Sequence, residues 1–102
     1  MIIKDAGHVY ELKDFEGDTS QTLNFIKKEP ISDGSTELKT VMNGTTNEEV
    51  LLVLIDRIQT LNAKFPSREN SIVITKLEES LMWLQKRTVD RKARGVEGKQ
   101  IK

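Results

Sequence analysis

The second half of the sequence contains two amphipathic segments separated by a short polar break, and this arrangement restricts the fold more than any other feature. In the first segment apolar residues recur every three or four positions, which predicts a helix; they are Val50, Leu51, Leu54, Ile58 and Leu61. The second segment repeats this pattern at Ile74, Leu77, Leu81 and Leu84. Because the break, KFPSREN, is short, the two helices should pack as an antiparallel hairpin.

Polar residues mark where each predicted helix begins. Thr46 followed by Glu49 forms a capping box, with Thr45 and Glu48 as an alternative register, and Ser67 after Pro66 is a suitable N-cap for the second helix. The first helix also carries Leu52, Val53 and Ile55 beside its main stripe. A helix that is apolar on more than one side needs more than one partner, and here the partners could be the second helix and the sheet, or another subunit.

The N-terminal half has the alternating pattern of short strands. GHVYEL, QTLNFIKK and TELKTVM read as strands, with FEGDTS and EPISDGS as the turns between them. The predicted fold is therefore α+β, with a small antiparallel β-sheet over residues 1–45, a two-helix antiparallel hairpin over 46–94 and a flexible tail over 95–102. The chain has 102 residues, which suits one compact domain of marginal stability and favours oligomerisation.

Charge and composition exclude several classes of function. The formal net charge is zero, which disfavours bulk binding to nucleic acid or to a membrane surface. The charge is uneven, because residues 1–46 carry 5 Lys and 8 acidic residues whereas residues 47–102 carry 11 basic and 8 acidic residues. The chain has no cysteine and no apolar run that fits a signal peptide or membrane span, so we expect an intracellular protein without disulfides or thiolate metal sites.

No catalytic motif stands out. His8 is the single histidine, and no HExxH, glycine-rich phosphate loop or Ser/His/Asp arrangement is present. Glu78 and Glu79 are adjacent on a helix and point in different directions, which makes a poor acid–base pair. The residues available for chemistry are arginines, amides and aromatics, which indicates a binding protein with no metal and no cofactor.

The end of the second helix carries three arginines at i, i+4 and i+7. Arg87, Arg91 and Arg94 should project to one side, where guanidinium groups could bind phosphate oxygens. By composition alone the alternative is favoured, in which they complement the helix macrodipole.

Further candidates lie around the break between the helices. Arg68 and Asn70 fall in the first turn of the second helix, where backbone N–H groups attract anions, although ordinary capping is the favoured explanation from the pattern alone. Arg57 and Thr60 belong to a polar strip on the first helix, for which a solvated face is the alternative. Phe65 in the break and Trp83 on the second helix could stack on a base, but we expect aromatics in such positions to be core residues.

A resemblance extends this interpretation. The segments NGTTNEEVLLVLIDRIQTLN and SRENSIVITKLEESLMWLQKRTVDRKARGVEG resemble the helical hairpin of phage anti-Thoeris proteins, which sequester cyclic ADP-ribose isomers. The same hairpin is similar to that of phage anti-CBASS proteins, which capture cyclic dinucleotides. The preceding GHVYELKDF and QTLNFIKKEP resemble the small β-sheet of the anti-Thoeris family.

The resemblance implies a non-catalytic role in the cytoplasm of a host bacterium. The protein would bind a cyclic ADP-ribose isomer made by a host TIR-domain enzyme and would not cleave it. Family members place the ligand between the subunits of a homodimer, which associates further to a hexamer. On this resemblance, ligand contact becomes the favoured role of the arginines. The ligand-binding residues that we predict are Asn70, Arg87, Arg91, Arg57, Thr60 and Arg68.

Three alternatives remain open at this point. The ligand could be a cyclic di- or trinucleotide, in place of the ADP-ribose isomer or at a separate arginine site. An enzyme that degrades the signal would have to use Glu69, Glu78 or Glu79. A nucleic-acid-binding regulator would use the basic C-terminal residues, which the zero net charge makes the least favoured alternative.

Overall fold

The computed structural model describes residues 1–102 and contains five strands followed by two helices. The strands are β1 (Ile2–Asp5), β2 (Val9–Leu12), β3 (Gln21–Asn24), β4 (Lys27–Pro30) and β5 (Leu38–Met42). The helices are α1 (Asn47–Lys64) and α2 (Arg68–Ala93). The predicted α+β class is confirmed. The residues group into two compact units, one of residues 1–46 with 98–102 and one of residues 47–97. The predicted domain limits and the single compact domain stay predictions.

The N-terminal unit contains two small antiparallel sheets where the sequence predicted one. Strands β1, β2 and β3 form the first sheet, and β4 pairs with β5 in the second. The pattern QTLNFIKK, predicted as one strand, is divided between the sheets because its backbone changes partners. The N–H of Phe25 donates to the carbonyl of His8 at 2.6 Å, whereas the next N–H, of Ile26, donates to Thr45 at 3.0 Å. Strand β1 was not predicted at all.

This crossing between the sheets requires a glycine nearby. The backbone of residue 44 lies so close to the crossing that a Cβ there would stand 2.5 Å from the carbonyl carbon of Phe25 and 2.6 Å from the carbonyl oxygen of Asn24. The N–H of Thr45 then donates to that same Asn24 oxygen at 2.8 Å. Gly44 therefore permits a close backbone approach that any side chain would prevent.

Part of the C-terminal segment belongs to the N-terminal unit. The N–H of Gln100 donates to the carbonyl of Thr36 at 2.9 Å, and the amino group of Lys99 lies 3.3 Å from the Glu37 carboxylate. Composition had predicted a flexible tail from residue 95. The pairing shows that residues 99 and 100 have defined partners, which a local composition pattern cannot reveal.

The second unit is the helical hairpin, and its helices begin where the capping residues predicted. Helix α1 starts at Asn47, which leaves Thr46 at the N-cap position. Helix α2 starts at Arg68, and the hydroxyl oxygen of its N-cap Ser67 accepts a hydrogen bond from the N–H of Asn70 at 3.1 Å. The two helices pack against each other along their length. Neither helix has a stretch long and apolar enough to span a lipid bilayer.

The less exposed side chains of both helices recur with strict three- and four-residue spacing, as in a coiled-coil seam. In α1 they include Leu51, Ile55, Ile58 and Asn62, and in α2 they are Asn70, Ile74, Leu77, Leu81, Leu84, Thr88 and Arg91. Ile55 is the one apolar side chain of the chain that is buried. The predicted α1 stripe was partly wrong, because Leu54 and Leu61 are 41% and 44% exposed. Hydrophobicity alone predicted that these leucines face the second helix. In the structure the residues that face it include Ile55 and the polar Asn62.

Two aromatic residues were also predicted to be in the core and are not. Trp83 is 62% exposed and Phe65 is 83% exposed. Trp83 follows Met82 on the outer side of α2, and Phe65 lies in the three-residue connection between the helices. A core assignment from hydrophobicity fails here because the chain has more large apolar side chains than its own seam can cover.

Candidate functional site

The outer face of α1 forms an open groove that contains two of the predicted ligand residues. Arg57 and Thr60 line it together, and the cavity volume is about 510 Å³. The remaining lining residues are Leu52, Val53, Asp56 and Leu61. These positions lie on one face because they follow the helical repeat. An apolar groove of this volume with a few polar groups is typical of sites for small organic ligands.

The polar groups in this α1 groove can each contact a ligand. The Thr60 hydroxyl donates to the backbone carbonyl of Asp56 at 2.8 Å, so its oxygen remains available as an acceptor. The side chains of Asp56 and Arg57 are exposed and form no ion pair within the chain. A carboxylate beside a guanidinium leaves no excess positive charge in the groove. The groove therefore suits the donors and acceptors of a base or ribose better than it suits a phosphate.

A second groove lies on the outer face of the first turns of α2. Its volume is about 340 Å³, and it is lined by Arg68, Ser71, Ile72, Thr75 and Lys76. No acidic side chain lines this groove, so its two cations give it a net positive charge. The ion pair of Lys76 with Glu79 is long, at 3.8 Å, and both partners are largely exposed. The α2 groove therefore has the electrostatic character that a phosphate or pyrophosphate requires.

The hydroxyl groups of the α2 groove are held in place by the helix itself. Ser71 Oγ donates to the carbonyl of Ser67 at 3.2 Å, and Thr75 Oγ1 donates to the carbonyl of Ser71 at 3.1 Å. Sequence analysis did not identify Ser71, Thr75 or Lys76. Their spacing from Arg68 at i+3, i+7 and i+8 is the signal that could have found them, because it places all four on one side of a helix.

Asn70 lies in the first turn of α2, in a half-buried seam position. Its backbone N–H is used by the Ser67 cap, but its side-chain amide has no hydrogen-bond partner in the chain. An amide that is partly removed from water without a hydrogen-bond partner destabilises the folded protein, unless a ligand or water forms that hydrogen bond. Asn70 is therefore the predicted residue whose surroundings most clearly leave a group for a ligand.

The connection between the helices brings four of the six predicted residues to one end of the hairpin. Asn62 joins the helices there, because its Oδ1 accepts from the N–H of Ser67 at 2.9 Å and its Nδ2 donates to Ser71 Oγ at 3.3 Å. The four residues within a few positions of this junction are Arg57, Thr60, Arg68 and Asn70. We name this set the loop-end cluster.

The other two predicted residues lie far from the loop-end cluster. Arg87 follows Asn70 by seventeen positions, which at 1.5 Å per residue separates them by about 26 Å along α2. Arg87 is exposed and has no ion-pair partner in the chain. One copy of the chain therefore cannot bring Arg87 and Asn70 to the same small ligand.

Arg91 does not stand in an exposed row with Arg87 and Arg94. It occupies a seam position, and only 6% of the residue is exposed. Its Nη2 donates to the carbonyl of Val96 at 2.9 Å, and its Nε lies 3.9 Å from the Glu97 carboxylate. Arg91 is therefore not exposed beside Arg87 and Arg94, and the prediction that these arginines contact a ligand stays a prediction. The seam repeat turns Arg91 inward, where it holds the chain segment that follows α2.

Two comparisons with known proteins agree on the identity of this hairpin. The model of the family described as "Acb2/Tad1, hairpin domain" matches residues 28–89. This range contains the whole loop-end cluster and Arg87 but stops before Arg91. The chain is also similar to Thoeris anti-defense 1 of Bacillus phage SBSphiJ7, with 44% identity over 88 residues, which is 85% of this chain. The aligned part spans 56% of the length of that relative.

Proposed function

Because the chain belongs to the Acb2/Tad1 hairpin-domain family, we propose that it is a phage anti-Thoeris protein that binds a cyclic ADP-ribose isomer and does not cleave it. The relative named Thoeris anti-defense 1 supports the anti-defence role, and it comes from a phage. The signal would be produced by a host TIR-domain enzyme, so the protein would act in the bacterial cytoplasm. Capture of the signal would keep it from its effector.

The observation that carries this proposal is the loop-end cluster with its two unlike grooves. A cyclic ADP-ribose isomer contains a pyrophosphate, ribose units and an adenine. The positively charged α2 groove with Arg68 suits the pyrophosphate, because guanidinium forks pair with phosphate oxygens. The apolar α1 groove with Arg57 and Thr60 suits the base and ribose. Because the two grooves lie on the outer faces of different helices, we propose that a second copy brings them to one ligand.

We propose further that the binding form is a homo-oligomer, built from a dimer and extended to a hexamer. The helices leave a large set of apolar side chains at least 40% exposed, namely Leu52, Val53, Leu54, Leu61, Ile72, Val73, Met82, Trp83 and Val89. Burying a Leu or Val side chain contributes about 1.5–3 kcal/mol when burial is complete. Covering several half-exposed ones would therefore contribute several kcal/mol toward association. A dimer would also enclose grooves that are open in one copy.

The test is calorimetric titration of the purified protein with the cyclic ADP-ribose isomer made by a Thoeris TIR enzyme. After saturation the complex is heat-denatured and the released molecule is identified by mass spectrometry. Tight binding followed by release of the intact molecule supports capture without cleavage. Release of a linear product would instead identify an enzyme, and absence of binding would refute the proposed ligand.

Two variants locate the site. We expect Asn70→Ala and Arg68→Ala to weaken binding at least tenfold, because each removes a polar group of the loop-end cluster. Neither side chain forms a hydrogen bond or ion pair within the chain, so its removal should leave the fold intact. Lys86→Ala is the matched control, since Lys86 is a basic α2 residue that pairs with Asp90 at 2.6 Å, outside both grooves. An unchanged affinity in both cluster variants would show that the ligand binds elsewhere.

A second ligand class is favoured by the position of Arg87. This exposed arginine lies about 26 Å from Asn70 along the helix, too far to serve the same molecule within one copy. We propose that Arg87 contributes to a separate site for a cyclic di- or trinucleotide. Arg87→Ala should then abolish cyclic oligonucleotide binding and leave the ADP-ribose isomer affinity unchanged. Loss of both ligands in a folded dimer would indicate one composite site made by two copies.

A further inference from the structure

The side-chain amide of Asn62 fixes the hydrogen-bond directions where the two helices are joined. Its Oδ1 lies 2.9 Å from the backbone nitrogen of Ser67. Because a backbone N–H can only donate, this contact decides which end of the amide carries the oxygen. The other end, Nδ2, donates to Ser71 Oγ at 3.3 Å. Both ends of this half-buried α1 side chain are therefore bonded to residues at the start of the second helix.

These contacts leave the Ser71 hydroxyl with only a lone pair to offer a ligand. A serine oxygen has one proton and two lone pairs. The Asn62 amide uses one lone pair, and the proton is donated to the carbonyl of Ser67 at 3.2 Å. No other group of the chain bonds to this oxygen, which belongs to a residue that lines the α2 groove. Ser71 should therefore act in that groove as a hydrogen-bond acceptor.

The α2 groove thus combines donors with acceptors. Arg68 and Lys76 are cationic donors, whereas Thr75 Oγ1, like Ser71, gives its proton to a helix carbonyl, at 3.1 Å. A phosphate pairs with the two cations, but its oxygens are acceptors and leave the serine lone pair without a partner. A sugar phosphate also carries hydroxyl donors beside its phosphate. The groove therefore matches a sugar phosphate better than it matches an isolated phosphate.

We propose that Asn62 is a positioning residue, which holds Ser71 as the acceptor for a ribose hydroxyl while Arg68 and Lys76 bind the adjoining phosphate. The inference rests on the function proposed above for the identity of the sugar, and it names the part of the ligand that the α2 groove takes. Asn62 does not contact the ligand in this arrangement. It acts through Ser71, whose proton it keeps turned toward the helix carbonyl.

Titration of the 15N-labelled protein with two small phosphates tests this inference. The probes are ribose 5-phosphate and methyl phosphate, which are both phosphate monoesters, and only the first has ribose hydroxyls. The amide shifts of residues 68–76 give a Kd for each probe. We expect ribose 5-phosphate to bind about threefold to fivefold more tightly, which is within the range of a neutral hydrogen bond. Ser71→Ala should remove this preference and leave the methyl phosphate Kd unchanged, because both cations remain.

Ser80→Ala is the matched control. The Ser80 hydroxyl also donates to a helix carbonyl, that of Lys76 at 2.9 Å, but Ser80 does not line the α2 groove. The Ser80→Ala protein should therefore keep the wild-type preference for ribose 5-phosphate. A preference that is lost in this variant as well would overturn the assignment to Ser71.

The positioning role of Asn62 has a readout that a purely structural role would not move. In the wild type, the side-chain NH2 signals of Asn62 should shift when ribose 5-phosphate is added and much less when methyl phosphate is added. This response should disappear in Ser71→Ala. Asn62→Ala should lose the preference as Ser71→Ala does, and the double variant should lose no more, because the two residues act as a unit. Unresponsive Asn62 signals would overturn the positioning role.

Equal Kd values for the two probes in the wild type, or no binding of ribose 5-phosphate, would overturn the whole inference. Titration with the cyclic ADP-ribose isomer keeps this result separate from the function proposed above. A wild type that prefers ribose 5-phosphate but does not bind the isomer would refute the cyclic ligand and leave the hydroxyl recognition standing. A wild type that binds the isomer but shows no preference between the probes would refute this inference alone.

Discussion

The buried guanidinium of Arg91 leads to a prediction that separates a structural role from a ligand-binding role. Truncation to alanine removes a charged hydrogen bond to the Val96 carbonyl, which contributes about 1.5–3 kcal/mol in typical proteins. The pair with Glu97 is long and its acidic partner is 42% exposed, so it adds at most about 0.5 kcal/mol. Loss of the packed side-chain stem adds roughly 1 kcal/mol. Arg91→Ala should therefore lower the free energy of unfolding by about 3 kcal/mol in total.

The assay is thermal unfolding followed by circular dichroism at 222 nm, where the two helices dominate the signal. For a chain of this size each kcal/mol shifts Tm by about 4–8 °C, so Arg91→Ala should melt more than about 10 °C below the wild type. Arg87→Ala is the matched control, because it removes an exposed arginine one turn earlier, and its effect should stay within about 0.5 kcal/mol. Arg91→Lys should fall between them, since it keeps the charge and stem but loses the guanidinium fork.

The result that would refute this reasoning is an Arg91→Ala protein with the same Tm as Arg87→Ala but with no affinity for the signal. That outcome would make Arg91 a ligand residue, as the sequence predicted, and would mean that its contacts with residues 96 and 97 contribute little. Low Tm together with binding by the remaining folded protein at low temperature would support the structural role.

Two further predictions test the local structure. Ser67→Ala should destabilise the hairpin by about 1 kcal/mol, because it removes the N-cap hydrogen bond with Asn70, and this should lower the urea midpoint of unfolding. Ser67→Asp is the control, since it keeps an oxygen that can cap the helix. Equal midpoints for Ser67→Ala and the wild type would argue against the cap. Gly44→Ala should disrupt the N-terminal unit, because its Cβ would stand 2.5 Å from the Phe25 backbone, and loss of amide protection in residues 1–46 by hydrogen exchange would show this. Gly34→Ala is the comparison that meets no atom within 4 Å and carries only the cost of its positive φ of 76°, about 1–2 kcal/mol, so a clash at residue 44 should cost clearly more than that.

Much of the hairpin could be predicted from the sequence because its determinants are local. The caps at Thr46 and Ser67 require only neighbouring residues, and the three- and four-residue spacing requires only the helical repeat. The register within that repeat is different, because it depends on which face the partner helix covers. Hydrophobicity selected Leu54 and Leu61, whereas the packed hairpin places Ile55 in the seam and leaves both leucines exposed.

The candidate site was predictable by residue type but not by arrangement. The resemblance and the chemistry of arginine and amide groups identified Arg57, Thr60, Arg68 and Asn70 as candidates, and the connection at Asn62 brings this set to one end of the hairpin. The separation of about 26 Å between Arg87 and Asn70 follows from their spacing on one helix, whereas the burial of Arg91 could not be predicted from spacing.

The sequence by itself determined the α+β class, the two helices with their starting residues and the kinds of side chain available for binding, because periodicity and capping act over a few residues. Only the tertiary structure decided which of those side chains are free. Arg91 turns inward to bond the Val96 carbonyl, whereas Phe15 turns fully outward on an ordered loop. The division of QTLNFIKK between two sheets likewise follows from hydrogen bonds to distant His8 and Thr45. Burial and partner choice are set by residues far away in sequence, and local patterns carry no information about them.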